Sequence, residues 1–232
     1  MPQIGAFISD LQSYSCGVNV FNPWRDCLEG IDIGNEAPTI RSSHLEKYLR
    51  LRAENVKWIF VAEALGYQGG RFSGIAMTSE RILLGYLNEI NPSNVLSSFI
   101  AKRTSNSMNP LFKKTEQVSG FTEPTATVVW KEILNCGIDP FQTLFWNIFP
   151  FHPFSKTKGP LSNRTPTSNE LSLGVTYVKR LIELHPSAEV IAIGKHSNEI
   201  LNQHNMINSH IPHPANGGTN DFRIAMRELF LK

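Results

Sequence analysis

Three uninterrupted apolar runs constrain the fold of this chain more than any other feature. They are VKWIFVAE at 56–63, QTLFWNIF at 142–149 and AEVIAIG at 188–194. Each has the length of a strand but lacks alternating polar residues, which is typical of a strand buried on both faces of a parallel sheet. A shorter and more polar run, MINSHI at 206–211, predicts a fourth strand.

Helical patterns separate these runs. Two capping-box spacings, Ser43 with Glu46 and Thr167 with Glu170, predict helix starts. Further helices are predicted over 78–90, 125–137, 195–205 and 221–231, and a long loop with short helical pieces over 91–121. Strands that alternate with helices predict an α/β fold, here a three-layer α/β/α arrangement with a central four-stranded parallel sheet. We expect residues 1–232 to form a single domain.

Composition excludes several classes of protein. Hydrophobic residues make up 41% of the chain and charged residues 18%, which favours a globular core over disorder. The net charge of +2 does not by itself indicate nucleic acid, and the lysines and arginines of 102–114 and 156–164 are equally consistent with solvated charges and with phosphate contacts. Three cysteines without a CxxC pair favour a reduced, cytoplasmic chain without a zinc ribbon. No apolar run is long enough to span a bilayer, and the first residues do not resemble a secretory signal.

Three loops rich in Gly, Pro, Asn and His follow the predicted strands, at 64–77, 149–167 and 212–219. In parallel α/β sheets, ligands bind beyond the carboxyl ends of the strands. The fold and the composition therefore predict a site at the same edge of the sheet.

The first of these loops begins where an apolar strand ends in Glu63. Four glycines follow, at Gly66, Gly69, Gly70 and Gly74, without a Walker A or GxGxxG pattern. They are consistent with a tight turn beside a capping carboxylate, or with a backbone that a ligand approaches closely. Phe72 lies among the small residues Gly69, Gly70, Ser73 and Gly74, and we expect its ring to be exposed as a stacking platform.

The other two loops follow Asn147 and contain His213. An amide inside an apolar strand must be satisfied, either by neighbouring backbone or by the edge of a ligand. His213 precedes a proline, which favours an extended backbone and a side chain that projects from a strand end.

Taken together, these loops resemble the uracil-DNA glycosylase superfamily. AEALG at 62–66 resembles the first motif of that family, in its GEAPG form, and GYQGGRFSG resembles the loop that supplies a stacking aromatic. LFWN, ending at Asn147, NRTP at 163–166 and HPANGG from His213 resemble the later motifs. The likeness extends from about residue 56 to the C-terminus.

The first motif departs from the family at three positions. Ala62 and Leu65 replace its glycine and proline, and Ala64 stands where other branches have Asp or Asn. Because Ala64 cannot activate water, the resemblance makes Glu63 the candidate for that role. The three cysteines lack the spacing of the iron–sulfur branch, so we expect no cofactor and no metal.

The resemblance implies hydrolysis of the N-glycosidic bond of uracil, or of a related deaminated base, after the base is flipped out of DNA. It makes Glu63 and His213 catalytic, and it makes Asn147, Phe72 and Tyr67 base-binding. The residues expected to contact DNA or its phosphates are Gly66, Gly69, Gly70, Arg71, Ser73, Arg164, Asn216 and Gly217. The expected partner is DNA that contains uracil or a deaminated base, bound by a monomer, with no membrane partner.

Three alternatives remain open from the sequence. The site could have lost catalysis and retained DNA binding, as the changes at Ala64 and Leu65 would suggest. It could act on another base, such as hypoxanthine or a mismatched T or U. The chain could also be an unrelated nucleotide-binding α/β enzyme, although no phosphate motif supports this.

Overall fold

The computed structural model describes residues 2–206 and 209–231. Its strands are β1 Val20–Phe21, β2 Trp58–Ala64, β3 Thr143–Phe149, β4 His152–Pro153, β5 Glu189–Ile193 and β6 Ser209–Ile211. Its α-helices are α1 Pro2–Ser13, α2 Ala37–Arg52, α3 Gly70–Ser73, α4 Glu80–Leu83, α5 Ser93–Leu96, α6 Lys114–Ser119, α7 Pro124–Asn135, α8 Ser168–Leu184, α9 Lys195–Gln203 and α10 Thr219–Phe230. A short 3-10 helix, Pro140–Gln142, precedes β3.

The central sheet has the order β3-β2-β5-β6, and all its pairings are parallel. β3 is buried along its whole length and β2 over its middle, as their continuous apolar sequences predict. Helices flank the sheet, with α2 and α8 packed on β3, and α9 on β2 and β5. The α/β fold with a four-stranded parallel sheet is therefore confirmed.

The parallel register brings the carboxyl ends of the strands together. Ala62 of β2 lies opposite Asn147 of β3, and Ile193 of β5 lies opposite Ile211 of β6. Glu63, Gly194 and the residues after Ile211 consequently lie at one edge of the sheet, where the sequence predicts a site.

Capping predictions differ in outcome. Thr167 begins α8 as expected: its hydroxyl accepts from the Glu170 amide at 3.3 Å, and Glu170 accepts from the Thr167 amide at 2.7 Å. The prediction at Ser43 is wrong, because α2 already begins at Ala37, with Pro38 in its first turn. The Ser43 hydroxyl instead donates to the Thr39 carbonyl four residues earlier, a bond made inside a helix.

The predicted helix over 78–90 is reduced to the single turn of α4. Gly85, with φ +78°, ends it in the left-handed region, which glycine favours. The long loop with short helical pieces is confirmed, since α5 and α6 are its only α-helical segments in 91–121. The predicted strand at 206–211 is present as β6, although residues 207 and 208 of that prediction lie outside the described residues.

Two features of the first 21 residues were not anticipated. α1 packs on α2, and its Phe7 ring lies 5.4 Å from the Trp146 ring of β3. β1 forms an antiparallel pair with β4, the short strand that follows β3 in sequence. Across residues 2–206 and 209–231, no helix combines the length and the apolarity needed to cross a membrane.

Candidate active-site cleft

A cleft of about 580 Å³ opens at the carboxyl edge of the sheet. Its walls come from the end of β2 and the following loop, from the segment before α7, from the loop before α8, from the start of α9 and from the loop after β6. Among the residues expected in the site, those lining the cleft are Glu63, Gly66, Arg164, His213 and Asn216.

Glu63 is the next-to-last residue of β2, and its carboxylate is partly exposed in the cleft. Its Oε1 atom lies 2.5 Å from Nδ1 of His196, the second residue of α9. β5 pairs with β2, and α9 follows β5 after Gly194 alone, so the two strand ends place this histidine beside the carboxylate. This hydrogen bond can hold the Glu63 carboxylate in one orientation.

His213 follows β6, lines the same cleft as Glu63 and is half-buried. Its Nδ1 accepts a hydrogen bond of 3.1 Å from the Ala215 amide, so in the neutral ring the proton is on Nε2. Burial lowers the pKa of His213, and the nearby Glu63 carboxylate raises it by a smaller amount. The arrangement therefore favours a neutral imidazole whose Nε2–H can donate to a ligand.

Asn147 is placed on β3 next to this edge, but its side chain does not line the cleft. Its amide nitrogen donates to the Ala64 carbonyl at 3.0 Å, which is the backbone bond considered from the sequence. Its Oδ1 is buried and has no partner among the described residues. Leu65 borders both the cleft and the small space around Asn147, so it lies between this amide and the cleft.

The expectation of an exposed Phe72 ring is wrong. The ring is fully buried, stacked on Phe121 with centroids 4.3 Å apart, and Phe112 closes the cluster edge-on. Tyr67 packs against the same cluster, with its ring 6.4 Å from that of Phe121. Neither ring lines the cleft in this structure.

Arg71 and Ser73, expected to contact DNA, are also fully buried. Arg71 forms two hydrogen bonds with Asp32, of 2.5 and 3.2 Å, and its guanidinium lies 4.2 Å from the Phe21 ring centroid. The Ser73 hydroxyl bonds inside its own loop, where the Thr78 carbonyl accepts at 2.6 Å. Both side chains hold the loop together and are out of reach of a phosphate.

The glycines of this loop make room for neighbouring groups of the protein. A Cβ on Gly69 would collide with Oε2 of Glu123, and one on Gly66 would lie 2.9 Å from Oε1 of the same carboxyl. A Cβ on Gly70 would collide with Leu65, and Gly74 has φ +77°. The close approach inferred from the sequence is therefore present, but the group that approaches Gly66 and Gly69 is the Glu123 side chain.

Glu123 immediately precedes Pro124, the first residue of α7, and its backbone is extended. Its side chain is partly buried and lines the cleft, whereas its Oε2 is inaccessible to solvent and without a hydrogen-bond partner among the described residues. Burial raises the pKa of this carboxyl to about 7. Glu123 is therefore a second carboxyl of the cleft, one that gains a proton far more readily than an ordinary glutamate.

The remaining expected contacts lie at the rim. Arg164 forms a bidentate salt bridge with Glu170, with hydrogen bonds of 2.7 and 2.6 Å. Much of the charge of Arg164 is therefore already neutralised. Asn216 is exposed, with φ +55°, and Gly217 follows with φ +87°, a sharp turn beside the cleft. These rim residues remain candidates for contact with a strand.

Sequence reasoning overlooked His196 and Glu123. His196 could have been found from the sequence, since Lys195 and His196 directly follow the third apolar run and the strand-end rule that singled out Glu63 applies to them too. Glu123 carried only a weak signal, an acidic residue before the first proline of a helix. Its burial depends on the loop at 66–69, which is distant in sequence.

The chain shares its fold with the crystal structure of SMUG2 from Pedobacter heparinus. The two superpose with a TM-score of 0.58 over 99% of this chain and 93% of that one, at 11% sequence identity. No protein-family model and no curated protein sequence matches the chain. At this identity the likeness establishes the α/β fold, and the chemistry must be argued from the cleft.

Proposed function

We propose that this protein is a DNA glycosylase that hydrolyses the N-glycosidic bond of uracil, or of a related deaminated base, extruded from DNA into the cleft. The observation that carries the proposal is that the Glu63 carboxylate and the His213 imidazole, with its Nε2–H free to donate, line one cleft at the strand ends. The fold shared with SMUG2, a DNA glycosylase, supports the same reaction class.

The reaction needs two kinds of electrostatic support. As the bond from C1′ to the base nitrogen breaks, positive charge develops on the sugar and its electron pair passes to the base. Glu63 would offset the sugar charge and accept a proton from the water that attacks C1′. The Nε2–H of His213 would donate to a carbonyl oxygen of the departing base, where negative charge accumulates.

The structure changes what is proposed for base recognition. Asn147 keeps one free acceptor, Oδ1, which would take an N–H of the base once Leu65 turns aside. Phe72 and Tyr67 would instead stabilise the loop at 64–77 by packing in the aromatic cluster. Arg164, Asn216 and Gly217 are the proposed strand contacts at the rim.

The test is a cleavage assay with labelled single- and double-stranded oligonucleotides that carry one uracil. Incubation with the protein and EDTA would be followed by alkali, which breaks the strand at abasic sites. A cut at the uracil that disappears in a variant combining Glu63→Gln and His213→Ala supports the proposal. An unchanged cut in that variant would refute the site, and the absence of a cut with uracil, hypoxanthine and mismatched T or U would refute the activity.

A further inference from the structure

We propose that Glu123 is a ligand-binding residue of the cleft, which meets the nucleic acid as an uncharged carboxyl and donates a hydrogen bond to an acceptor oxygen of the strand. That oxygen could belong to a base carbonyl or to the sugar–phosphate backbone, which present the same acceptor chemistry. The inference rests on the proposed function only in taking the occupant to be a nucleic acid.

The position of the carboxyl is built into the fold. Its two oxygens face Gly66 and Gly69, where any Cβ would displace them. A Cβ on Gly66 would lie 2.9 Å from Glu123 Oε1 and 3.9 Å from the side-chain amide nitrogen of Asn163, so these two groups are close to each other. Asn163 is itself held by the Tyr67 amide, which donates to its Oδ1 at 3.0 Å. Glu123 and Asn163 thus present a carboxyl and an amide side by side in the wall of the cleft.

The ionisable groups around the cleft do not neutralise Glu123. The basic side chains of the cleft are each engaged elsewhere: Arg164 pairs with Glu170, Lys195 lies 3.7 Å from Glu199, and His196 bonds to Glu63. His213 interacts with Glu63, and the Tyr67 phenol adds no positive charge. Burial alone shifts the pKa of Glu123, upward to about 7, so the proton is the means by which this carboxyl is stabilised.

Because no cation neutralises the Glu123 carboxyl, its two protonation states should have opposite effects on the binding of a nucleic-acid strand. The ionised form would repel a polyanionic strand, and its buried oxygen would accept no hydrogen bond. The protonated form removes the repulsion and supplies one donor, which a carbonyl or phosphate oxygen accepts. Binding should therefore favour the protonated form, and affinity should fall as the pH rises through the pKa of Glu123.

A titration of the unaltered protein tests this directly. The glutamate carboxyl carbons would be labelled with ¹³C, the Glu123 resonance assigned from its loss in Glu123→Gln, and its pKa measured by NMR. The ligands would be an oligonucleotide with 2′-fluorinated deoxyuridine, which resists hydrolysis, and the same strand with an abasic analogue. We expect binding to raise the pKa by about one unit, which corresponds to tenfold tighter binding by the protonated form.

The two ligands separate the sources of the acceptor. An equal rise with both places it in the sugar–phosphate backbone, and a rise that needs the base places it on the base. A bound strand that leaves the pKa unchanged or lowers it overturns the proposal, as does failure of both strands to bind.

Affinity measured between about pH 6 and pH 9 gives a second test. The unaltered protein should lose roughly tenfold in affinity in all, mostly between the pKa of the free protein, about 7, and that of the complex, about one unit higher. Glu123→Gln keeps an N–H donor and cannot ionise, so its affinity should stay nearly constant. Glu54→Gln, at an exposed position, is the matched control and should keep the wild-type slope. Equal slopes in the wild-type protein and Glu123→Gln would overturn the inference, even where base release at about pH 6 upholds the glycosylase activity.

Discussion

Glu63 and His196 are 133 residues apart in sequence, yet a hydrogen bond of 2.5 Å joins them at the mouth of the cleft. The contact exists because β2 and β5 run parallel and adjacent, so that the end of one strand and the first turn after the other coincide. The histidine reaches the reacting groups through Glu63, and its proposed role is to position that carboxylate.

Replacing His196 should therefore weaken catalysis without abolishing it. We expect His196→Ala to lower the single-turnover rate of base release by about tenfold, because an unheld carboxylate spends less time oriented towards water. His196→Asn, which can still donate to Glu63, should recover part of the rate. Single-turnover cleavage at saturating protein gives the comparison.

His204 at the end of α9 provides the control for this prediction. It is exposed and does not line the cleft, so His204→Ala should behave as the wild type. If His196→Ala and His204→Ala release base at equal rates, then the bond to Glu63 has no role in positioning.

Loss of the His213 donor should have a larger effect. We expect His213→Ala to reduce the rate by about 10²–10³-fold, the range found when one oxyanion donor is removed. Protonation of Nδ1 would remove the acceptor of the Ala215 amide and with it the hydrogen bond that orients the ring. Because burial lowers the pKa of His213, the wild-type rate should persist below the ordinary histidine range and fall only as the pH drops through the lowered value. A pH–rate profile with His210→Ala, an exposed neighbour on β6, as control would show this; an unchanged rate in His213→Ala would contradict it.

The strands and the edge at which they meet could be predicted from the sequence because they depend on short-range pattern. A run such as 142–149 has no polar face, and only a doubly covered strand accommodates it. Thr167 and Glu170 similarly interact within one turn, so their capping box is predictable. The position of Glu63 and His213 at the carboxyl edge of the sheet could be predicted from the same strand-end argument.

Phe72 and the glycines show where such reasoning fails. The small neighbours of Phe72 suggested an exposed ring, but Phe112 and Phe121, some 40 and 49 residues later, bury it. The glycines did indicate a close approach, yet the identity of the approaching group depended on where Glu123 lies. Long-range packing of this kind has no local signature, so the sequence could predict a close approach but not its partner.

The packing of Gly69 against Glu123 can be tested by adding a methyl group. We expect Gly69→Ala to destabilise the protein by about 1–3 kcal/mol, the usual cost of overpacking. Combining it with Glu123→Ala should relieve the clash, so the two costs should not add. Urea unfolding of the single and double variants measures the coupling. Gly17→Ala, where a Cβ would meet nothing within 4 Å, should be nearly neutral; additive costs would show that Gly69 and Glu123 do not touch.

A buried histidine away from the cleft should make stability depend on pH. His44 Nδ1 lies 2.9 Å from the Ser73 carbonyl, and its Nε2 accepts from the Lys102 amide at 3.1 Å, so the neutral ring satisfies both neighbours. Burial lowers its pKa from 6.5 to about 4. The unfolded chain therefore binds a proton first as the pH falls. The stability that His44 contributes is complete above about pH 6.5 and is lost towards pH 4, by roughly 3 kcal/mol in all.

Carboxylates also lose stabilising charge over this range, so the informative quantity is a difference between variants. The free energy of unfolding should fall by about 2 kcal/mol less between pH 7 and pH 5 in His44→Gln than in the wild type, because glutamine does not titrate. His204→Gln, at an exposed position, should keep the wild-type dependence. If His44→Gln and His204→Gln lose stability in parallel, then His44 takes up its proton in the folded protein as easily as in the unfolded chain. The two backbone bonds would then not hold the ring neutral.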